Sequence, residues 1–137
     1  MNLDLLVAEL IRDEDLKLKP YVDSVGKITL GVGRNLDDKG ISKTEALYLL
    51  ENDIDECVAD LATFPWFARL PEGPQRAVLN LRFNLGPTRF RRWAPTLAYL
   101  ERGDLTGAAR QFRTNRKYFK QVGARAERIA LLLETTS

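Results

Sequence analysis

Residues 12–33 read RDEDLKLKPYVDSVGKITLGVG, and this run decides how the first part of the chain folds. It opens at the end of an amphipathic helix. Upstream, Asn2 is a suitable N-cap, and Leu3, Leu6, Val7, Leu10 and Ile11 recur at helical spacing, which predicts a helix over 3–12. Glu14 occupies the next position on that apolar stripe. Two readings stay open there: the carboxylate is partly withdrawn from water, or the helix simply ends and Glu14 is solvated. Downstream, Pro20 disfavours helix, and Asp23-Ser24-Val25-Gly26 is turn chemistry leading into a strand from Lys27 to Gly33. Alternation puts Ile28, Leu30 and Val32 on one face of that strand and Thr29, Gly31 and Gly33 on the other. Thr29 is thereby a hydroxyl on a glycine-lined face that a ligand could approach. The expectation is a β-hairpin over 20–35. The glycine spacing is not a dinucleotide fingerprint, since no strand precedes it.

Beyond the hairpin, Asp37 to Gly40 reads as a turn and Ser42-Lys43-Thr44-Glu45 has the form of a capping box. A long helix over 42–62 follows, with Ala46, Leu49, Leu50, Ile54, Val58 and Leu61 facing inward and Cys57 as a bystander. After Pro71, a helix over 72–85 stops at Gly86 with Pro87 behind it. Its core candidates are Val78, Leu79, Leu81 and Leu85. Three short helices are expected near 95–102, 105–114 and 124–134, the last contributing Ile129, Leu132 and Leu133. The fold class is α+β, mostly α, in one domain over 1–137. An N-lobe over about 13–62 holds the hairpin and the connecting helix. A helical C-lobe over about 63–137 takes in the N-terminal helix 3–12 as well.

Composition narrows the chemistry. The chain of 137 residues is 45% hydrophobic and 29% charged, an ordinary globular balance. Its longest apolar run, Ile129 to Leu133, cannot span a bilayer, so no membrane insertion is expected. The N-terminus has an acid at Asp4 and no basic segment, so we expect synthesis in the cytoplasm without a signal peptide. There is no histidine, which excludes Ser-His-Asp and Cys-His catalysis and His-ligated metals. The single cysteine permits no internal disulfide and no Cys-based zinc site. Carboxylates are left as the leading proton carriers. The net charge of +2 conceals an asymmetry: residues 1–63 carry seven Lys/Arg against fourteen Asp/Glu, and residues 64–137 carry fourteen against five. Ten of the twelve aromatics also follow residue 63. This is either solvated surface charge or a basic, aromatic lobe suited to an anionic polymer.

Glu14, Asp23 and Thr29 stand at the end of a helix, in the next turn, and on the glycine-lined strand face. A helix folding back on the hairpin brings all three to one cleft. A protonated Glu14 could donate to a leaving oxygen, while Asp23 in its polar turn stays ionised and holds a water with Thr29. That division of labour suits glycoside hydrolysis. A carboxylate pair beside a turn is also a common structural feature, and the residues alone leave both readings standing.

The same run resembles the catalytic segment of phage-type lysozymes, the T-even phage class in family twenty-four of the glycoside hydrolases. In that family a Glu is followed by Asp nine residues on and Thr six further, inside the frame E-G-x-(x)-L-x-x-Y-x-D-x-x-G-x-x-T-x-G-x-G. Matching positions are Glu14, Leu18, Tyr21, Asp23, Gly26, Thr29, Gly31 and Gly33, with Asp15 replacing the glycine after the acid. Lys43-Thr44-Glu45-Ala46 and Asn52-Asp53-Ile54 look like the family's interlobe helix. Asn80 to Gly86 resembles its N-x-x-F-[NQ]-x-G segment, and Arg125-Ala126-Glu127-Arg128 its R-A-x-R.

The resemblance implies a lysozyme-like fold of two lobes and a muramidase that cleaves the β-1,4 bond from N-acetylmuramic acid to N-acetylglucosamine. It implies Glu14 as general acid, Asp23 and Thr29 as holders of the attacking water, and Arg125 as the partner of Glu14. Phe83 and Asn84 would line the sugar cleft, and Asn35, Thr96 and Gln111 fall where family members contact the glycan. Arg34 stands where the best-known member has a histidine and is expected to pair with Asp53. The partner is bacterial peptidoglycan, met by a monomer without metal, cofactor or nucleic acid, in the service of host cell lysis. The alternatives are a glycan-binding protein without turnover, which loss of Glu14 or Asp23 would have favoured, and a tail-associated lysozyme used at infection.

Overall fold

The computed structural model describes residues 1–136. Helix α1 (Leu3–Glu14) leads into a small sheet of β1 (Lys17–Val22), β2 (Ile28–Gly31) and β3 (Arg34–Asn35). Helix α2 (Lys43–Leu61) follows, then a short 3-10 turn (Phe67–Arg69), α3 (Glu72–Arg91), α4 (Ala94–Glu101), α5 (Leu105–Arg113), α6 (Arg116–Val122) and α7 (Ala124–Leu133). This is the expected α+β, mostly helical class. Contacts divide the chain into two units, residues 1–49 and residues 50 onward, with the division inside α2. Helix α1 therefore counts with the hairpin, whereas the sequence grouped it with the helical lobe. No helix among the described residues is long and apolar enough to cross a membrane.

In the first unit, the Asn2 side chain accepts from the Leu5 amide at 3.1 Å and starts α1 as expected. The helix runs two residues beyond the predicted 3–12 and ends on Glu14. Its terminating residue, Asp15, has φ 65° and ψ 162°, a region that glycine alone occupies without strain. Asp15 is the one non-glycine residue with positive φ among the described residues. Asp15→Gly is therefore expected to raise the melting temperature by about 3–5 °C, from relief of about 1 kcal/mol of strain. An unchanged melting temperature would show that the aspartate sits there at no cost.

The sheet has the order β1-β2-β3, antiparallel throughout. Strand β1 begins three residues before the expected hairpin over 20–35: the lysines at 17 and 19 mask its start, and the register is irregular between Lys17 and Tyr21, around Pro20. The Asp23–Lys27 turn closes with two backbone bonds, Asp23 N–H to the Lys27 carbonyl at 2.9 Å and Gly26 N–H to the Asp23 carbonyl at 3.1 Å. Strand β2 is central and ends at Gly31, so the chain reverses through Val32 and Gly33. Thr29 lies opposite Tyr21 on one side and Asn35 on the other. Those neighbours cover it, and only 2% of it is exposed. Ile28 and Val32, on the opposite face, are exposed.

The capping box forms as read. Glu45 accepts from the Ser42 amide at 2.9 Å, and the Ser42 hydroxyl accepts from the Glu45 amide at 3.1 Å. Arg34 then lays a two-pronged fork on Glu45, at 3.0 and 2.7 Å, and reaches the Gly40 carbonyl at 3.3 Å. The expected partner Asp53 is thereby replaced: the box holds Glu45 at the start of α2, where a planar guanidinium from β3 meets both its oxygens. The Ser42 backbone and hydroxyl, and after them Arg34, hold the Glu45 carboxyl below its ordinary value.

In the second unit the core gathers Leu61, Trp66, Val78, Leu81, Leu85, Phe90, Leu100, Phe112, Tyr118, Ile129 and Leu133. Helix α3 packs on α7, α4 on α5, and both α5 and α6 on α7. The buried positions of α2 are Cys57 and Leu61, and Ala46, Leu50 and Ile54, expected inside, are exposed. Leu49 and Val58 were expected inside and are instead exposed, because the stripe runs through Cys57. Burial pushes the Cys57 thiol up from its ordinary value, so it is an inert core residue. At Gly86 the backbone swings to φ 80°, ψ 170°, breaking α3 where Gly-Pro was read as a stop. Helix α6 was missed. Its cap is Asn115, which accepts from the Tyr118 amide at 3.1 Å, and Gly123 at φ 60° ends it.

Candidate active site

The first unit brings the three carboxyl and hydroxyl candidates onto one hairpin. Asp23 sits in the β1–β2 turn, its Oδ1 accepting from the amides of Val25 at 3.0 Å and Lys27 at 2.8 Å. These two bonds fix the orientation of the carboxyl group and leave Oδ2 facing the Thr29 hydroxyl at 3.5 Å. The one proton of Thr29 Oγ1 has two acceptors within reach, the Lys27 carbonyl at 3.0 Å and Asp23 Oδ2 at 3.5 Å. Thr29 thus meets Asp23 as the sequence suggested, but from a covered position.

Glu14 reaches the same hairpin from α1. Its carboxyl group lies against Gly33: a Cβ built on that glycine would stand 2.6 Å from Glu14 Oε2 and 3.0 Å from its Cδ. Two strand residues, about 7 Å at the rise of a strand, separate Thr29 from the end of β2, where this turn begins. The side chain of Glu14 is exposed, so of the two readings left open the solvated one holds. The reason is local. The helix ends on Glu14, and Asp15 turns the chain away before the carboxyl can be enclosed.

The remaining candidates divide between places. Asn35 is spoken for: its amide donates to Asp38 at 3.0 Å and its oxygen accepts from the Asp38 amide at 3.0 Å, holding the loop after β3. In the second unit, Phe83 and Arg125 share an open cleft of about 380 Å³ with Leu50, Ile54, Leu79 and Asn80. Arg125 Nε donates to Asn80 Oδ1 at 2.9 Å, which fixes its guanidinium in this cleft. Asn84 accepts at 2.8 Å from the hydroxyl of the buried Tyr118. Burial raises the Tyr118 phenol above its ordinary value, with nearby Arg125 and Arg89 opposing. Thr96 and Gln111, fifteen residues apart in sequence, line one cleft of about 310 Å³ with Arg92, Trp93 and Asn115. Trp93 and Asn115 also border a smaller hollow of about 140 Å³ lined by Arg89 and Lys117.

Sequence reading overlooked two residues of this layout. Gly33 bears directly on Glu14, and Tyr118 fixes Asn84; the positive φ demanded at Gly33 was the readable signal for the first. The second had none, because the two residues are 34 apart.

The family model for phage lysozyme matches residues 12–129, from just before Glu14 to just past Arg125. The chain belongs to the phage lysozyme family. Membership makes it a glycoside hydrolase of the lysozyme type, with peptidoglycan as its class of substrate. No match is found among the curated proteins.

Proposed function

We propose that this phage lysozyme is an endo-acting muramidase that hydrolyses the β-1,4 bond from N-acetylmuramic acid to N-acetylglucosamine with inversion, and that it serves host cell lysis. The observation that carries this reading is the division of the two carboxyl groups. Asp23 is held in place by backbone amides beside Thr29, and Glu14 rests at the far end of β2. Glu14 is the general acid: it protonates the glycosidic oxygen as the C1–O bond breaks. Asp23, through Oδ2, takes a proton from a water that attacks C1 from the opposite face, and Thr29 orients that water and its base. Separated carboxyl groups leave room for this water, as an inverting enzyme requires. Phe83, Asn84, Thr96 and Gln111 supply sugar contacts: a phenyl face, an amide fixed by Tyr118, and two polar groups in one cleft.

Mass spectrometry of purified peptidoglycan after digestion tests the bond. Fragments ending in reducing N-acetylmuramic acid are expected; reducing N-acetylglucosamine or anhydro ends would refute the assignment.

The basic half of the chain supports attraction to an anionic wall. Four of its cations are committed internally, Arg76 to Glu72, Arg82 and Arg91 to Asp60, and Arg113 to Glu127 and Glu134. Among the described residues, Arg89, Arg92, Arg110, Arg116, Lys117 and Lys120 form no ion pair. Lysis of whole cells is accordingly expected to weaken several-fold as salt rises through roughly 0.1–0.5 M, where the Debye length falls well below 10 Å. A flat salt response would remove this contribution.

A further inference from the structure

We propose that Gly33 is a positioning residue for the reaction, because its missing side chain is the seat on which the Glu14 carboxyl group rests. The inference rests on the reading of Glu14 as the acid and adds a requirement to it. Gly33 needs glycine on two separate grounds. Its φ of +64° lies in the left-handed region, and an added Cβ would stand 2.6 Å from Oε2, 3.0 Å from Cδ and 3.2 Å from Cγ of Glu14. The first ground concerns the backbone and is shared with Gly31, at φ +71°, where an added Cβ meets nothing within 4 Å. The second is peculiar to Gly33.

What the collision does follows from what it strikes. The contact is with the far end of a flexible, exposed side chain, so an alanine at 33 does not have to break the fold. Glu14 yields by rotating, and its carboxyl group leaves the seat. Other restraints on that group are few: among the described residues Glu14 makes no side-chain hydrogen bond and no ion pair, and the helix ends on it. The close face of the Gly33 turn is what limits where the acid can stand. A displacement of about an ångström in a proton donor is enough to cost roughly a hundredfold in rate.

Gly33→Ala and Gly31→Ala are compared with the parent protein in three measurements: thermal melting, kcat and KM on soluble peptidoglycan strands, and the 13C resonance of the Glu14 carboxyl group. The expected result is a similar small fall in melting temperature for both variants, from the shared left-handed φ. Gly33→Ala alone should move the Glu14 resonance, and its kcat should fall about a hundredfold with KM within about threefold of the parent. The inference is overturned by a Gly33→Ala variant with near-parent kcat, by an unmoved Glu14 resonance, or by activity lost together with a far larger melting drop than Gly31→Ala shows. Glu14→Gln separates the two levels. An inactive Glu14→Gln beside a fully active Gly33→Ala removes only the seat, whereas an active Glu14→Gln removes the mechanism beneath it.

Discussion

Glu14→Gln is expected to abolish hydrolysis of purified cell walls, by at least about a thousandfold, while melting at the temperature of the parent protein. Glutamine keeps the length and polarity of the side chain but has no proton to deliver to a departing sugar oxygen. A thousandfold corresponds to about 4 kcal/mol of barrier, within the range a positioned general acid contributes. The stability half of the expectation comes from exposure. Because Glu14 is not enclosed, its replacement removes no packing and relieves no buried charge, and the change should stay within about 0.5 kcal/mol. The stereochemistry of the first product is a companion test. If Asp23 activates a water, the new reducing end appears as the α-anomer, and the carboxyl groups stand roughly 6.5–9.5 Å apart. A β-anomer would make Asp23 a nucleophile at about 5–5.5 Å instead. Wall hydrolysis by Glu14→Gln at more than a few per cent of the parent rate would end the assignment of Glu14 as the acid.

How much of this could be read from the chain depended on the range of the interaction. Features set within four residues were legible: Asn2 on the Leu5 amide, the Ser42–Glu45 box, the Gly86–Pro87 break, and the Asp23 turn that closes on Lys27. So was the register of Glu14, Asp23 and Thr29, because one helix end and one hairpin carry all three. Features set by neighbours in space were not. Alternation correctly separated Thr29 from Ile28 and Val32, but which face is covered depends on Tyr21 and Asn35 across the strands. The stripe of α2 could be threaded through Val58 or Cys57, and only its partners in the core choose the cysteine. The partner of Arg34 was misread for a similar reason: Glu45 was assigned to its capping box alone, although a carboxylate has oxygens enough for an amide and a guanidinium together. The start of strand β1 and the whole of helix α6 were hidden by their lysines and arginines, whose charges say nothing about backbone conformation when the chain lies at the surface.

The clamp at Asp60 is the clearest case of a long-range device, and its removal is expected to have the largest effect on stability. Asp60, near the end of α2, accepts from Arg82 Nε at 2.6 Å and from both arms of Arg91, at 3.0 and 2.6 Å. These partners lie 22 and 31 residues away, on α3 before and after its break at Gly86. One carboxylate therefore ties α2 to both parts of the broken helix. Arg82 is only 5% exposed, and its other polar neighbour is the Cys57 sulfur at 3.7 Å. Asp60→Ala leaves that guanidinium buried without a counter-charge, and about 3–5 kcal/mol of stability should be lost at neutral pH. Asp60→Asn isolates the ionic part. Arg91 first, and Arg82 after it, hold the Asp60 carboxyl down to about 2 from an ordinary value of 3.8. A carboxyl depressed in the folded chain stabilises it above the unfolded value and loses that contribution as pH falls through the folded one. The difference corresponds to about 2 kcal/mol, present in full above about pH 5 and lost as pH falls through about 2. In urea titrations the gap between parent and Asp60→Asn should thus be about 2 kcal/mol at pH 6 and shrink as pH falls through about 2, closing toward zero near pH 1, where the parent carries a neutral acid too. A gap that stays constant across that range would mean that the carboxyl geometry, and not its charge, is what Arg82 and Arg91 require.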